Sequence, residues 1–236
     1  MKLPFFLILA LFLSHHVAAE QRYVSGPGQV DLVELYTSEG CSSCPPAERR
    51  MNEYAKEKGL WSEFIPVAFH VDYWNYLGWT DPFSAPEFSA RQRSYSKEWK
   101  TRTVFTPCFV VNGKVNSKTW RKSSRDQPGI LSVSITENKA SVSFIPTHPT
   151  QQKMTLWIAP LCGEVSSAVT SGENRGRKLE HNFVALGLHN QKMDSQDQVY
   201  TTSFPFTKHP KAKAVAIWVT VGQSLKPVQA TGGWLE

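Results

Sequence analysis

The feature that most restricts this chain is Cys41-Ser42-Ser43-Cys44, set between an alternating β-branched run and a helix-forming segment. Val30 to Tyr36, VDLVELY, reads as a strand, and Ala47 to Lys58 carries Met51, Tyr54 and Ala55 at helical spacing before Gly59. A helix start carries partial positive charge and unpaired N–H groups, which favour a thiolate over a thiol. Two intervening residues let one sulfur reach the other, so Cys41 is the expected attacking thiol and Cys44 the resolving one. Pro45 and Pro46 follow directly. Pro45 disfavours helical angles at Cys44, which makes Cys44 a cap and weakens the activation of Cys41.

Three readings of the pair remain open: a redox couple, a permanent structural disulfide, and a Cu(I) site that takes Cys108 as third ligand. No Cys/His set has zinc-finger spacing. Phe64 to Val71, FIPVAFHV, is a second strand, apolar enough to be buried on both faces and suited to parallel pairing. Its end brings His70 and Asp72 to the same edge. The expectation is that they share one face, either as a satisfied polar pair organising the loop that follows, or with His70 tuning the thiolate and Asp72 accepting a proton or fixing a turn. Trp74 to Pro86 is an aromatic loop, with Tyr73, Trp74, Tyr76, Trp79 and Phe83 either anchoring it or forming an apolar shelf. Pro86 to Trp99 reads as a helix. Phe105 to Val111 and Lys114-Val115 flank Asn112-Gly113, a hairpin signal.

The order of strand, CSSC and helix, then Thr106-Pro107-Cys108 before a strand and an NG turn, resembles the thioredoxin superfamily over residues 30 to 116. That resemblance implies a thioredoxin-like α/β domain, a mixed central sheet with flanking helices. It also implies a cis-proline at Pro107 facing the cysteines, with Thr106 and Pro107 aligning an extended substrate segment. Longer stretches, YTSEGCSSCPPAE, FHVDYWNYLGWTDPFS, FTPCFVVNG and SGENRGRKLEHN, resemble the secreted-protein family catalogued as domain of unknown function 1223. No helix signal follows Val115, where thioredoxins place their last one.

Beyond residue 129 the signals are almost all β, at Leu131–Thr136, Ala140–Ile145, Met154–Ala159, 183–188 and 212–221. The expected organisation is therefore a thioredoxin-like domain over 20–128 and a β-rich antiparallel C-terminal region over 129–236. Cys162 reads as a buried apolar residue. Glu173, Arg175, Arg177 and Lys178 form either an anion site or a solvated turn.

Residues 1–19 have the layout of a secretory signal: Lys2, the apolar run Leu3–Leu13, and Val17-Ala18-Ala19 before Glu20. The run supplies about half of what a bilayer-crossing helix needs. The expected location is secreted or periplasmic, without a stable membrane span after cleavage. A net charge of +6, spread along the chain, accompanies no nucleic-acid motif. The resulting expectation is an exported thiol–disulfide oxidoreductase needing no cofactor, whose partner is a cysteine-containing exported protein or a small disulfide. The alternatives are a Cu(I)- or protein-binding module at Cys41, Cys44 and Cys108, or a structural disulfide scaffold.

Overall fold

The structure, a computed structural model, describes residues 20–116, 120 and 126–236. The expected signal segment and part of the connector at 123–129 lie outside the described residues. The first half supplies β1 (Gln21–Val24), β2 (Asp31–Thr37), α1 (Pro45–Glu53), β3 (Phe64–His70), α2 (Pro86–Glu98), β4 (Cys108–Val111) and β5 (Lys114–Val115). Then follow β6 (Gly129–Ile135), β7 (Lys139–Pro146), β8 (Met154–Cys162), β9 (Val165–Ala168), β10 (Lys178–His181) and β11 (Val184–Ala185). The chain closes with β12 (His189–Lys192), β13 (Asp194–Gln196), β14 (Val199–Pro205), β15 (Ala214–Val221) and β16 (Pro227–Trp234).

A nine-stranded sheet runs in the order β16-β15-β8-β11-β3-β2-β4-β5, with β12 also paired to β8. Its parallel pair is the one the apolar runs suggest: β2 and β3 align from Asp31↔Phe64 to Thr37↔His70, and all fourteen residues are buried. Next to β3 lies Val184 of β11, which hands the sheet over to the long antiparallel strands β8 and β15. A five-stranded antiparallel sheet, β1-β6-β7-β14-β13, packs on that far end, and β9 and β10 form a separate two-stranded ribbon.

Alternation along β15 explains how one sheet serves two cores. Val215, Ile217 and Val219 pack with Leu131, Val133 and Phe144 of the five-stranded sheet. Ala214, Ala216 and Trp218 face the other way, joining the cluster around Leu35, Phe69, Phe88 and Tyr95. Successive side chains point to opposite faces of a strand, so a run such as AVAIWVTV must be apolar throughout when both faces are covered. Gly232 lets β16 approach closely: a Cβ there would meet the Val215 carbonyl oxygen at 2.3 Å.

This architecture corrects the expectation of a thioredoxin-like α/β domain followed by a separate antiparallel region. Among the described residues there are two α-helices, and strand dominates the rest. The strands from Asp31 to Val115 do not close a sheet of their own. They are one end of a sheet completed by β8, β11, β15 and β16 from beyond residue 129. Burial explains the misreading. A strand covered on both faces looks the same in sequence whether helices or a second sheet cover it. Strand β1, ahead of the first strand that the sequence signals, pairs with β6.

Candidate functional site

Strand β2 ends at Thr37, and the chain turns through Ser38-Glu39-Gly40, all buried, into the cysteine loop. Gly40 has no space for a side chain, since a Cβ would lie 3.1 Å from that of Trp74. Cys41 and Cys44 form a disulfide with 5.4 Å between their Cα atoms. Ser42 and Ser43 between them are exposed, whereas Cys41 is 2% and Cys44 0% exposed. Cys44 is the N-cap of α1, as expected, but with helical angles (φ −77°, ψ −35°) rather than extended ones. Its N–H bonds the Cys41 carbonyl, and its own carbonyl accepts from Ala47 and Glu48, which holds the turn against the proline's preference.

These bonds also limit what the helix offers a thiolate. Pro45 and Pro46 have no N–H, and the next two N–H groups are spent on Cys44. The Ser43 hydroxyl, 3.4 Å from Cys41 Sγ, is the nearby group able to donate to an anionic sulfur. The Thr106 carbonyl, 3.8 Å from the same sulfur, can only accept and so favours the protonated thiol. The Thr106–Pro107 bond is cis, and both residues are half-buried. Trp74 Nε1 donates to Thr106 Oγ1 at 2.7 Å, fixing this corner to the aromatic loop.

Cys108 begins β4 opposite Tyr36 and is buried and free, as is Cys162 at the end of β8. Burial, helped by the Glu34 charge, pushes the Cys108 thiol up to about 12. Burial likewise pushes Cys162 up to about 11. A Cu(I) site needs thiolates. Here two of its three sulfurs share a disulfide and the third is held protonated.

His70 and Asp72 are separated. Asp72 accepts a hydrogen bond from Ser89 Oγ, tying the loop to α2. His70 lies on the α1 side of the sheet, buried, with Nδ1 2.7 Å from Asp81 Oδ2. Alternation ends with the strand at His70, so shared phase does not extend to Asp72.

Behind the cysteine loop lies a buried polar network. Glu39 Oε1 meets His181 Nε2 at 2.9 Å, while its Oε2 accepts from Trp79 Nε1 at 2.8 Å. Glu48 accepts from Thr37 Oγ1 at 2.6 Å and has Oε2 2.9 Å from His181 Nδ1. Burial alone would lower the His181 pKa, but the Glu39 and Glu48 carboxylates overcome it and hold it up to about 9. Burial would raise Glu48 and Asp81, yet their histidine partners leave both below the usual carboxylate values.

The SGENRGRK segment turns out to be a clamp on the cysteine loop. Asn174, fully buried, donates from Nδ2 to the carbonyls of Glu39 and Cys41 at 2.8 and 2.9 Å. Glu173 Oε2 accepts from the Ser42 N–H at 3.0 Å, and Arg177 holds the Asn174 oxygen. Arg175, Arg177 and Lys178 are exposed. Single-sequence reasoning missed Glu39, Glu48, Asp81, Asn174 and His181. Each falls inside one of the stretches that carry the family resemblance, and that was the available signal.

A β-dominated protein with a disulfide at a helix start, backed by buried histidines and carboxylates, is the class that fold and site define. The family profile described as "Protein of unknown function (DUF1223)" matches residues 32–221, and the chain belongs to that family. No curated protein matches the chain. Protein AGR_C_4864 from Agrobacterium tumefaciens, known from a crystal structure, is similar with a TM-score of 0.64 at 22% identity, over 89% of this chain and 94% of that one. HBP35 of Porphyromonas gingivalis is similar with a TM-score of 0.64 at 13% identity, over 89% of this chain and 76% of that one. At these identities the likeness is one of fold.

Proposed function

We propose that the protein is an exported thiol–disulfide oxidoreductase in which Cys41 and Cys44 are the exchanging pair. The observation that carries the reading is the position of the Cys41–Cys44 bond. It closes a four-residue loop with two exposed serines at a helix start, and Cys41 Sγ sits against the Thr106 carbonyl. In the reduced protein the Cys41 thiolate attacks one sulfur of a substrate disulfide, forming a mixed disulfide and releasing the other sulfur as a thiolate, which takes up a proton. The Cys44 thiolate then attacks Cys41 Sγ, releasing the second substrate thiol and restoring the Cys41–Cys44 bond. Two electrons pass to the substrate, and an external dithiol restores the pair. The same steps reversed oxidise a substrate dithiol. Neither direction needs a bound cofactor. The substrate is a cysteine-containing exported protein or a small disulfide.

A second reading, a permanent structural staple, is favoured by one specific observation: Cys41 is 2% exposed beneath the Asn174 clamp. Exchange requires that clamp to lift. The experiment that separates the readings is reduction of insulin by dithiothreitol with and without the mature protein. Acceleration that disappears in Cys41→Ser and Cys44→Ser supports exchange. A rate equal to dithiothreitol alone, with no fast-alkylating thiol in the reduced protein, rejects it in favour of the staple.

A further inference from the structure

The cluster between α1, β3 and β10 gathers three carboxylates and two imidazoles in the interior. Glu39, Glu48 and Asp81 are 0%, 4% and 2% exposed, and His70 and His181 are 0% and 2% exposed. Among the described residues no Lys or Arg pairs with any of the three carboxylates; their ionic partners are the two histidines. Three carboxylates and two imidazoles are thus packed together out of contact with water. An uncompensated buried charge costs several kcal/mol.

The histidine nitrogens show where a cation fits. His70 Nδ1 is taken by Asp81, and its buried Nε2 has no hydrogen-bond partner. His181 Nε2 is taken by Glu39, while Nδ1 stands 2.9 Å from Glu48 Oε2 without a geometrically complete hydrogen bond. The two rings stand 5.0 Å apart, nearly perpendicular. One donor atom from each of Glu48, His70 and His181 lies within 4.8 Å of the others. Tetrahedral ligands about 2.1 Å from zinc stand roughly 3.4 Å from one another, so closing on an ion requires shifts of about 1 Å. Each ligand already has an orienting group on its far side: Asp81 for His70, Glu39 for His181 and Thr37 for Glu48. Carboxylates on the remote nitrogens of metal-bound histidines are what fix such rings in place.

We propose that Glu48, His70 and His181 bind a divalent transition-metal ion, with two imidazoles and one carboxylate as ligands. Such a donor set suits zinc. The ion brings positive charge into a cluster that holds three buried carboxylates. It lies behind the cysteine loop, joined to it through Glu39, two residues before Cys41. This site does not depend on whether the disulfide exchanges.

The test is metal analysis of the mature protein as purified, and again after unfolding, chelation and refolding with zinc ion. The expected result is about one zinc per chain, retained in the Cys41→Ser/Cys44→Ser double variant. Cobalt(II) substitution of the wild type should give visible bands without a thiolate charge-transfer band. Asp81→Asn, which touches no ligand atom directly, should weaken zinc binding about 10- to 100-fold, and His70→Gln by more. The cobalt spectrum and Asp81→Asn decide the question even where His70→Gln fails to fold. No stoichiometric zinc under either loading, a thiolate band with cobalt, or affinity unchanged in Asp81→Asn and His70→Gln would each overturn the proposal.

Discussion

Cys108 follows the Thr106–Pro107 bond directly, yet its chemistry is set by burial rather than by that neighbourhood. Its thiol is pushed up to about 12 and that of Cys162 up to about 11. Since the thiolate is the nucleophile, Cys108 is held in its unreactive form at pH 8. The folded oxidised protein should therefore resist iodoacetamide at pH 8 and take up two labels only on unfolding, as read by mass. Rapid labelling of Cys108 in the folded chain would contradict its burial. The sign for stability follows: the folded state keeps these protons to higher pH than an unfolded thiol near 8.5. Their contribution is complete below that value and is lost as pH rises toward 11 and 12.

At the scale of elements, the clamp from Gly172 to Arg177 decides access to the sulfurs. Asn174 donates to the carbonyls of both Glu39 and Cys41. Asn174→Ala takes the donor from the buried Glu39 carbonyl, the Cys41 carbonyl keeping the Cys44 N–H, at a cost of roughly 1–3 kcal/mol, while loosening the cover over Cys41. The expected outcome is a lower urea midpoint together with faster alkylation of Cys41 in the reduced protein. A lower midpoint without faster alkylation would show that the clamp does not gate the site. Helix α2, the strands β2, β3 and β6 to β8, and the NG hairpin were legible, because periodicity and turn residues are local signals. The strand expected at 183–188 contains β11, but its place beside β3 was not legible, because that depends on contact with Ala68 and Cys162. The cysteine pair was legible from spacing, whereas the Glu39–His181 contact joins residues 142 positions apart. Nothing in the alternation of β10 distinguishes His181 from a satisfied core histidine.

At the scale of the molecule, the two halves meet around a buried ion pair of the first half as well as sharing a sheet. Arg91 of α2 bonds Glu34 of β2 at 2.8 Å and lies over the rings of Trp157 and Trp218, on β8 and β15. Tyr95 adds a 2.6 Å bond to the same carboxylate. Removing one partner strands a buried charge, so Arg91→Ala should cost about 3–5 kcal/mol. Urea unfolding should stay a single transition, since β3, β8, β11 and β15 form one sheet. Two resolved transitions would show that the ends fold separately.

The claim that the Cys41–Cys44 bond exchanges in the folded protein is tested most directly by titrating it in glutathione buffers under native conditions, with alkylation and mass readout. The account predicts a reversible equilibrium between oxidised and reduced chains, approached equally from either side, with mixed glutathione disulfide trapped at Cys41 in Cys44→Ser. A bond that stays closed until the protein unfolds would contradict it.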